Sequence, residues 1–416
     1  MTTRVLAFCV LFLSTPVSAG VLCVAPGDVF ADVQSAVDAA VTGDTILVRA
    51  GTYAPFRIDG KSLTVIAESP GAATIEAEED TSALVITNVA ANANVYVRGL
   101  EFVLPFLPDA DKTSILAVTD CAGDVWLEDC TVSMSCCDEA ICGGVVTNSE
   151  SVTLVRCSLE GGMRDGPLAA GLCVSNASVY AYESEFKARN DFVQFPPVDF
   201  LTGVSGGHGA HVAQNGFLFA SGCTFQGGNA SGGGILCCYA GDGGDGIFVS
   251  GVGAAVTLLD SSRAGGAGGL GGIPGVAGSP DNVVQGTLTP LAGKARSTEA
   301  LSPIEEFDSV QVKFRGEDGD FAFVAFSPFQ DTVYLPTLFG GLHVGPPFSI
   351  PVLGAIGVSD ELDLNVPIPA LPLATSTTKL YVQGVFLSMS GTVYLASPSA
   401  IITIDDAIGV PVQVGL

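Results

Sequence analysis

One short phrase recurs along the middle of this chain and limits the fold more than any other feature. Two apolar residues flank one position. Two mostly polar residues follow, then a small residue or Cys, then another apolar residue. The phrase reads Val95-Tyr96-Val97-Arg98-Gly99-Leu100-Glu101-Phe102, and returns as Val125-Trp126-Leu127-Glu128-Asp129-Cys130-Thr131-Val132. Further copies start at Val152, Val179, Leu218 and Val256, so successive starts lie 30, 27, 27, 39 and 38 residues apart. Internal repeats of this length mark a stacked, quasi-one-dimensional architecture. Alternation at period two predicts that each phrase is a strand with one buried face.

A shorter phrase precedes four of these copies, at 144–148, 171–176, 209–215 and 246–251. Each repeat therefore carries at least two short strands. A unit this small cannot bury its alternating surface alone, whereas stacked coils let each strand pair in parallel with its counterpart about 4.8 Å away. Parallel crossovers of this kind are right-handed. Asn148, Asn176 and Asn215 fall at the same turn of successive coils. Asn tolerates left-handed backbone, and stacked Asn side chains can bond to one another as a ladder. The plainer alternative is an independent turn Asn in each coil.

The pattern resembles the pectin-lyase-like right-handed parallel β-helix proteins, over roughly residues 25–280. The segments 32–40, 43–48 and 51–53 are similar to the start of that fold. This implies an amphipathic N-terminal helix that caps the first coil, and Val33, Ala36, Val37 and Ala40 do share one helical face. After the glycine-rich stretch 265–278 the composition shifts, with less Gly, no Cys and more Pro, Phe, Val and Leu. Runs at 309–314, 321–326, 332–335, 379–387 and 400–404 read as strands of a conventional sheet. The expected organisation is a signal peptide at 1–19, a β-helix at 20–282 and an antiparallel β-sandwich-like domain at 283–416. The final strands, with Leu380-Tyr381-Val382-Gln383 and Val393-Tyr394-Leu395, resemble the C-terminal module of large secreted planctomycete-type β-helix proteins. That likeness implies no chemistry.

Arg4, the apolar run 5–13 and Val17-Ser18-Ala19 make a secretory signal, with the mature chain expected to start near Gly20. No later apolar run is long enough for a membrane span without Gly, Pro or charge. The expected location is extracellular or at the cell surface. Net charge is −27 with 16 basic residues, which disfavours nucleic acid as a partner. It also disfavours an anionic polysaccharide unless a cation bridges the two.

The chain has 12 Cys, of which Cys9 lies in the leader. Cys130, Cys157 and Cys223 share one phrase position. They are expected to stack inside as small thiols, since their Cβ vectors run parallel rather than converge; a bridge between neighbouring coils is the alternative. Cys136, Cys137, Cys142, Cys237 and Cys238 fall in loops and are the better disulfide candidates. A second ligand pair for zinc is missing.

Polysaccharide chemistry on such a fold needs either two carboxylates flanking a glycosidic bond, or a base with a cation beside a uronate. The candidate catalytic residues are Lys187, Asp191, Asp199 and His208. Gly207-His208-Gly209 resembles the active-groove tripeptide of polygalacturonases, with His211 close behind. That family's companion motifs are missing: there is no Asn-Thr-Asp, no adjacent Asp-Asp one coil earlier and no Arg-Ile-Lys afterwards. Lys187 and Arg189 beside Glu183 and Glu185 suit either a lyase site or surface ion pairs. Asp242, Asp245, Asp318 and Asp320 lie in acidic turns that invite Ca²⁺, although neither the EF-hand nor the calcium β-roll spacing is met. No other cofactor is expected. The glycine-rich stretches 227–234, 241–246 and 265–278 lack the Lys of a phosphate loop. They read as compact excursions on one side of the longest coils, where solenoids often place a binding face.

The function expected from these residues is that of an exported non-catalytic β-helix scaffold. It would be a cell-surface or matrix protein that meets polysaccharide or other surface components. The alternative is a divergent polysaccharide lyase or glycoside hydrolase for a pectin or uronate-type substrate, acting in a groove near residues 187–211. A single Trp weakens the idea of an aromatic sugar platform.

Overall fold

The computed structural model describes residues 19–78, 81–105, 114–134, 141–162, 169–189, 204–230, 240–270, 272–372 and 375–405. The expected leader, Asp191, Asp199, Cys136, Cys137, Cys237 and Cys238 lie outside these residues. The first part of the chain is a parallel β-helix with three strands in each complete coil, stacked as three faces, two of which join through the last full coil. The first sheet includes Thr45–Val48, Asn94–Arg98, Asp124–Glu128, Ser151–Val155, Ser178–Tyr182 and Phe217–Ser221. The second includes Leu100–Leu104, Thr131–Met134, Ser158–Gly161, Glu185–Ala188 and Thr224–Gln226. The third includes Ser114–Thr119, Cys142–Thr147, Ala170–Ser175 and His208–Val212. The long strand Ile247–Leu259 serves both the first and third sheets in the last full coil.

Each phrase is therefore two strands around a corner rather than one strand. The corner residue has positive φ at Gly99, Asp129, Arg156, Glu183, Gly222 and Asp260. One left-handed residue turns the chain and shifts the in–out alternation by one: Val125 and Leu127 face the core before the corner, Cys130 and Val132 after it. A second left-handed column runs through Asn88, Asp120, Asn148, Asn176 and Asn215. Here the amide ladder forms. Asn148 Nδ2 donates to Asp120 Oδ1 at 3.0 Å, Asn176 Nδ2 to Asn148 Oδ1 at 3.5 Å, and Asn215 Nδ2 to Asn176 Oδ1 at 3.1 Å.

The interior of the prism is one continuous apolar core, with Val95, Val97, Phe102, Leu127, Leu154, Phe186, Leu218 and Phe225 buried. Cys130, Cys157 and Cys223 are buried free thiols within it. Burial pushes the Cys223 thiol up to about 12. Cys142 does form a disulfide, but with Cys173 of the next coil, at a Cα–Cα distance of 6.1 Å. Val145, not Cys142, is the ladder partner of Cys173, so the bridge runs diagonally between strands. The helix Val33–Ala39 buries Val33, Ala36 and Val37 over the first coil. The Asp32 carboxylate accepts from the Ser35 N–H at 2.8 Å and caps its N-terminus.

The second part is built of antiparallel sheets. One joins Ser297–Ala300, Ser309–Arg315 and Glu361–Pro367; another is centred on Phe321–Ser327, Thr377–Leu387 and Val393–Ile404. This part lies along the outside of the first parallel sheet. Tyr96, Trp126, Tyr180, Tyr182 and Phe219 point outward from the coils and are buried under it. Both faces of that sheet are thus covered, where the sequence predicted one. The strand Asp281–Leu291 runs through residue 282 and still pairs in parallel with Ile247–Leu259.

Candidate functional site

The glycine-rich stretches form a packed body, not loops. Residues 204–207, 240–246 and 272–279 make one layer, and 227–230 with 264–270 make a second. Within the first layer, Ala240, Gly243 and Gly246 donate to the carbonyls of Ile273, Val276 and Ser279 at 2.9, 2.8 and 2.9 Å. Within the second, Gly227 and Ala230 donate to Ala264 and Ala267 at 2.8 and 2.9 Å. Between layers, Gly266 and Gly269 donate to Gly244 and Gly241 at 2.8 and 3.0 Å, and Gly278 and Gly275 donate to Gly266 and Gly269 at 2.9 and 3.0 Å. Partners advance three residues at a time. An ordinary strand has period two and bonds only within its sheet. An extended chain with three residues per turn directs its N–H groups to three sides, so it can bond across layers as well.

Only glycine fits this packing. A Cβ at Gly244 would lie 1.8 Å from the Gly207 carbonyl oxygen, and one at Gly266 would lie 1.9 Å from that of Gly228. The signal for the slab is present in the sequence as glycines three apart: 206 and 209, 241 and 244, 265 and 268, then 272, 275 and 278.

The sequence-predicted residues gather at the root of this slab only in part. His208 opens the strand His208–Val212, and its ring stacks on Phe248 with centroids 4.7 Å apart. The backbone N–H of Asp245 donates to His208 Nδ1 at 3.0 Å, so the neutral ring carries its proton on Nε2. Burial pushes the His208 pKa down to about 4, against the attraction of the Asp245 carboxylate 3.6 Å away. His211 Nε2 is 2.6 Å from Ser250 Oγ. His211 follows Cys173 and precedes Phe248 in the ladder, so the disulfide adjoins this cluster. Sequence reasoning missed Phe248 and Ser250, which no motif marks.

The other candidates lie elsewhere. Lys187 is on the second sheet, 3.8 Å from Glu185, whereas His208 is on the third. Asp242 Oδ1 accepts from the Val276 N–H at 2.7 Å. Asp245 accepts from the Ser279 N–H at 2.8 Å and from Asn282 Nδ2 at 3.0 Å. These two acids hold the slab's first layer in register. Asp320 is in the antiparallel part, buried against the Arg296 guanidinium, which also donates to Glu317 at 2.7 Å. Asp318 stands in the exposed turn beside it. Among the described residues, no group of three or more His, Cys, Asp or Glu is placed to hold a metal ion, and no helix is long and apolar enough to cross a membrane.

The most elaborate polar cluster is at the seam between the two parts. Arg98 and Arg156 interleave with Glu128 and Asp129, with Arg98 Nη2 2.9 Å from Asp129 and Arg156 Nε 2.7 Å from Asp129. Arg98 also donates to the carbonyls of Ala300 and Ala400 at 3.0 and 3.3 Å, and Ser399 Oγ donates to Glu128 at 2.8 Å. His343, fully buried, is 2.8 Å from the Tyr182 hydroxyl and 3.2 Å from Thr153 Oγ1. Trp126 stacks on Tyr381 at 5.6 Å. These groups fasten the antiparallel part to the coils, and the lone Trp is unavailable as a sugar platform.

No family model matches the chain, and no curated protein matches it. Among solved structures, the crystal structure of the pectin methylesterase from Aspergillus niger in penultimately deglycosylated form is similar, at 9% identity, covering 68% of this chain and 93% of that one with a TM-score of 0.30. A TM-score this low carries no argument. The strand pairing itself makes the molecule a parallel β-helix with an antiparallel C-terminal part.

Proposed function

We propose that this protein is an exported, non-catalytic β-helix scaffold of a cell surface or extracellular matrix. Its coils and glycine slab form a rigid platform that meets carbohydrate or other surface components. One observation carries the reading. The described ionisable candidates, Lys187 and Asp318 apart, are engaged in holding the chain together: His208 with Asp245, Asp242 and Asp245 with slab amides, Asp320 with Arg296, while Lys187 makes a partly exposed pair with Glu185. Catalytic acids and bases need a free proton-transfer position facing a substrate. A row of amides along the Asn148, Asn176 and Asn215 ladder, beside a depression of about 410 Å³, is the surface best suited to a linear polysaccharide.

The test is a panel of neutral and uronate polysaccharides, with and without Ca²⁺, read for both binding and product release. The scaffold reading expects retention on a polysaccharide or cell-wall fraction with no reducing ends and no unsaturated uronate. Product release that His208→Ala abolishes would replace it with the lyase or hydrolase reading.

A further inference from the structure

The two ends of the β-helix differ. The first coil is closed by the helix Val33–Ala39. The last is open. Its strand Asp281–Leu291 pairs with Ile247–Leu259 on one edge, and among the described residues no strand pairs with the other. Val283 and Val284 on this strand are exposed, as are Leu270, Ile273 and Val276 on the adjoining glycine layers. An unpaired edge with exposed apolar side chains is a template for another strand, and proteins usually blunt such edges with charge. Here the blunting is weak. The chain has 43 acidic residues, yet the strand carries one, Asp281, and Arg263 neutralises it at 2.6 Å. Gly286, with φ of +102°, and Pro290 interrupt only the later half.

We propose that this open end is a self-association surface, on which residues 281–285 pair with the same residues of a second copy across a two-fold axis. Three observations select a second copy. Strands related by a two-fold run antiparallel, so their backbones exchange hydrogen bonds without any special sequence. Two chains of net charge −27 repel, and they meet most easily where the surface is uncharged and apolar. Head-to-tail stacking is opposed by the helix, which packs on Val21–Val24, Thr45–Val48 and Phe56–Asp59 at the opposite end, so the association is expected to close at two copies and not to grow into a fibre.

The experiment is sedimentation velocity on the full chain from about 1 to 100 µM, with hydrogen exchange at both limits. The expected result is a mass that doubles with concentration and stops there, with amides of 282–285 gaining protection as it does. Val284→Lys, at an exposed position, should raise the dissociation constant at least tenfold. Val41→Lys, exposed near the capped end, should leave it unchanged. A chain that stays monomeric, polymers beyond the dimer, equal weakening by both variants, or a dimer without new protection at 282–285 would each overturn the proposal. Should Val284→Lys not fold, the concentration series on the unaltered chain decides alone.

Discussion

The coil prism and the glycine slab stack chain on chain in the same direction but by opposite means. In the prism, strands stand apart and side chains fill the space, with Phe102, Leu127, Leu154 and Phe225 removed from water. Burial of that kind stabilises by about 25 cal/mol per Å² of apolar surface. In the slab, backbones touch, and hydrogen bonds in several directions replace the apolar core. The prism tolerates small changes of shape because side chains repack. The slab has no side chain to move, so one added methyl must push two backbones apart.

That contrast can be broken most directly at Gly244. Gly244→Ala should cost about 5 kcal/mol or unfold the slab outright, the range reserved for severe steric change. Removing a methyl from the prism with Ile86→Val should cost about 1 kcal/mol. Equal losses in denaturant melts of the two variants would show that the slab is as plastic as the core. Gly357→Ala, with nothing within 4 Å of the added Cβ, serves as the neutral control.

The next effect concerns the covered face of the prism. Trp126→Ala removes a fully buried ring packed on Tyr381 and should cost about 4 kcal/mol. If that ring fastens the two parts, protease sensitivity of the antiparallel part should rise before the coils melt. Coincident loss of both parts would mean that they fold as one unit.

Acid should act at the same seam. Burial pushes the His343 pKa down to about 3. The unfolded chain takes up that proton near pH 6.5, so the folded state loses stability as pH falls from about 6.5 towards 3. This residue's share is on the order of 4 kcal/mol across that window. His343→Gln should flatten the pH dependence of the melting midpoint there, and an unchanged slope would remove His343 from the account. The smallest effect belongs to the ladder. Asn176→Ala gives up two exposed side-chain bonds and a tolerated left-handed residue, for about 1 kcal/mol by chemical denaturation.

Much of this was legible before any coordinates. The phrase at 95–102 and its copies predicted stacked parallel coils because a period of two over so short a repeat leaves few other ways to bury one face. The Asn column was readable because few residues accept positive φ. The corner inside each phrase is marked only by two successive non-core residues, such as Glu128-Asp129, and residues as different as Gly99, Asp129 and Arg156 fill it, so no residue type announces a turn there. At the site, His208 was found through its tripeptide, but Phe248 reaches it, and Ser250 reaches His211, across a coil boundary no local pattern marks.

The sequence by itself determined the periodicities: two along the coils, three in the slab, and the residues able to sit at the corners. These are properties of local backbone geometry, which each residue type restricts on its own. Only the tertiary structure decided what covers what. Tyr96, Trp126 and Tyr182 could have faced solvent or a ligand, and the antiparallel part buries them because it returns along the whole first sheet. Contacts such as Arg98 with Ala400 join residues some three hundred positions apart. No periodicity in the sequence specifies them, because they depend on how the finished surfaces fit.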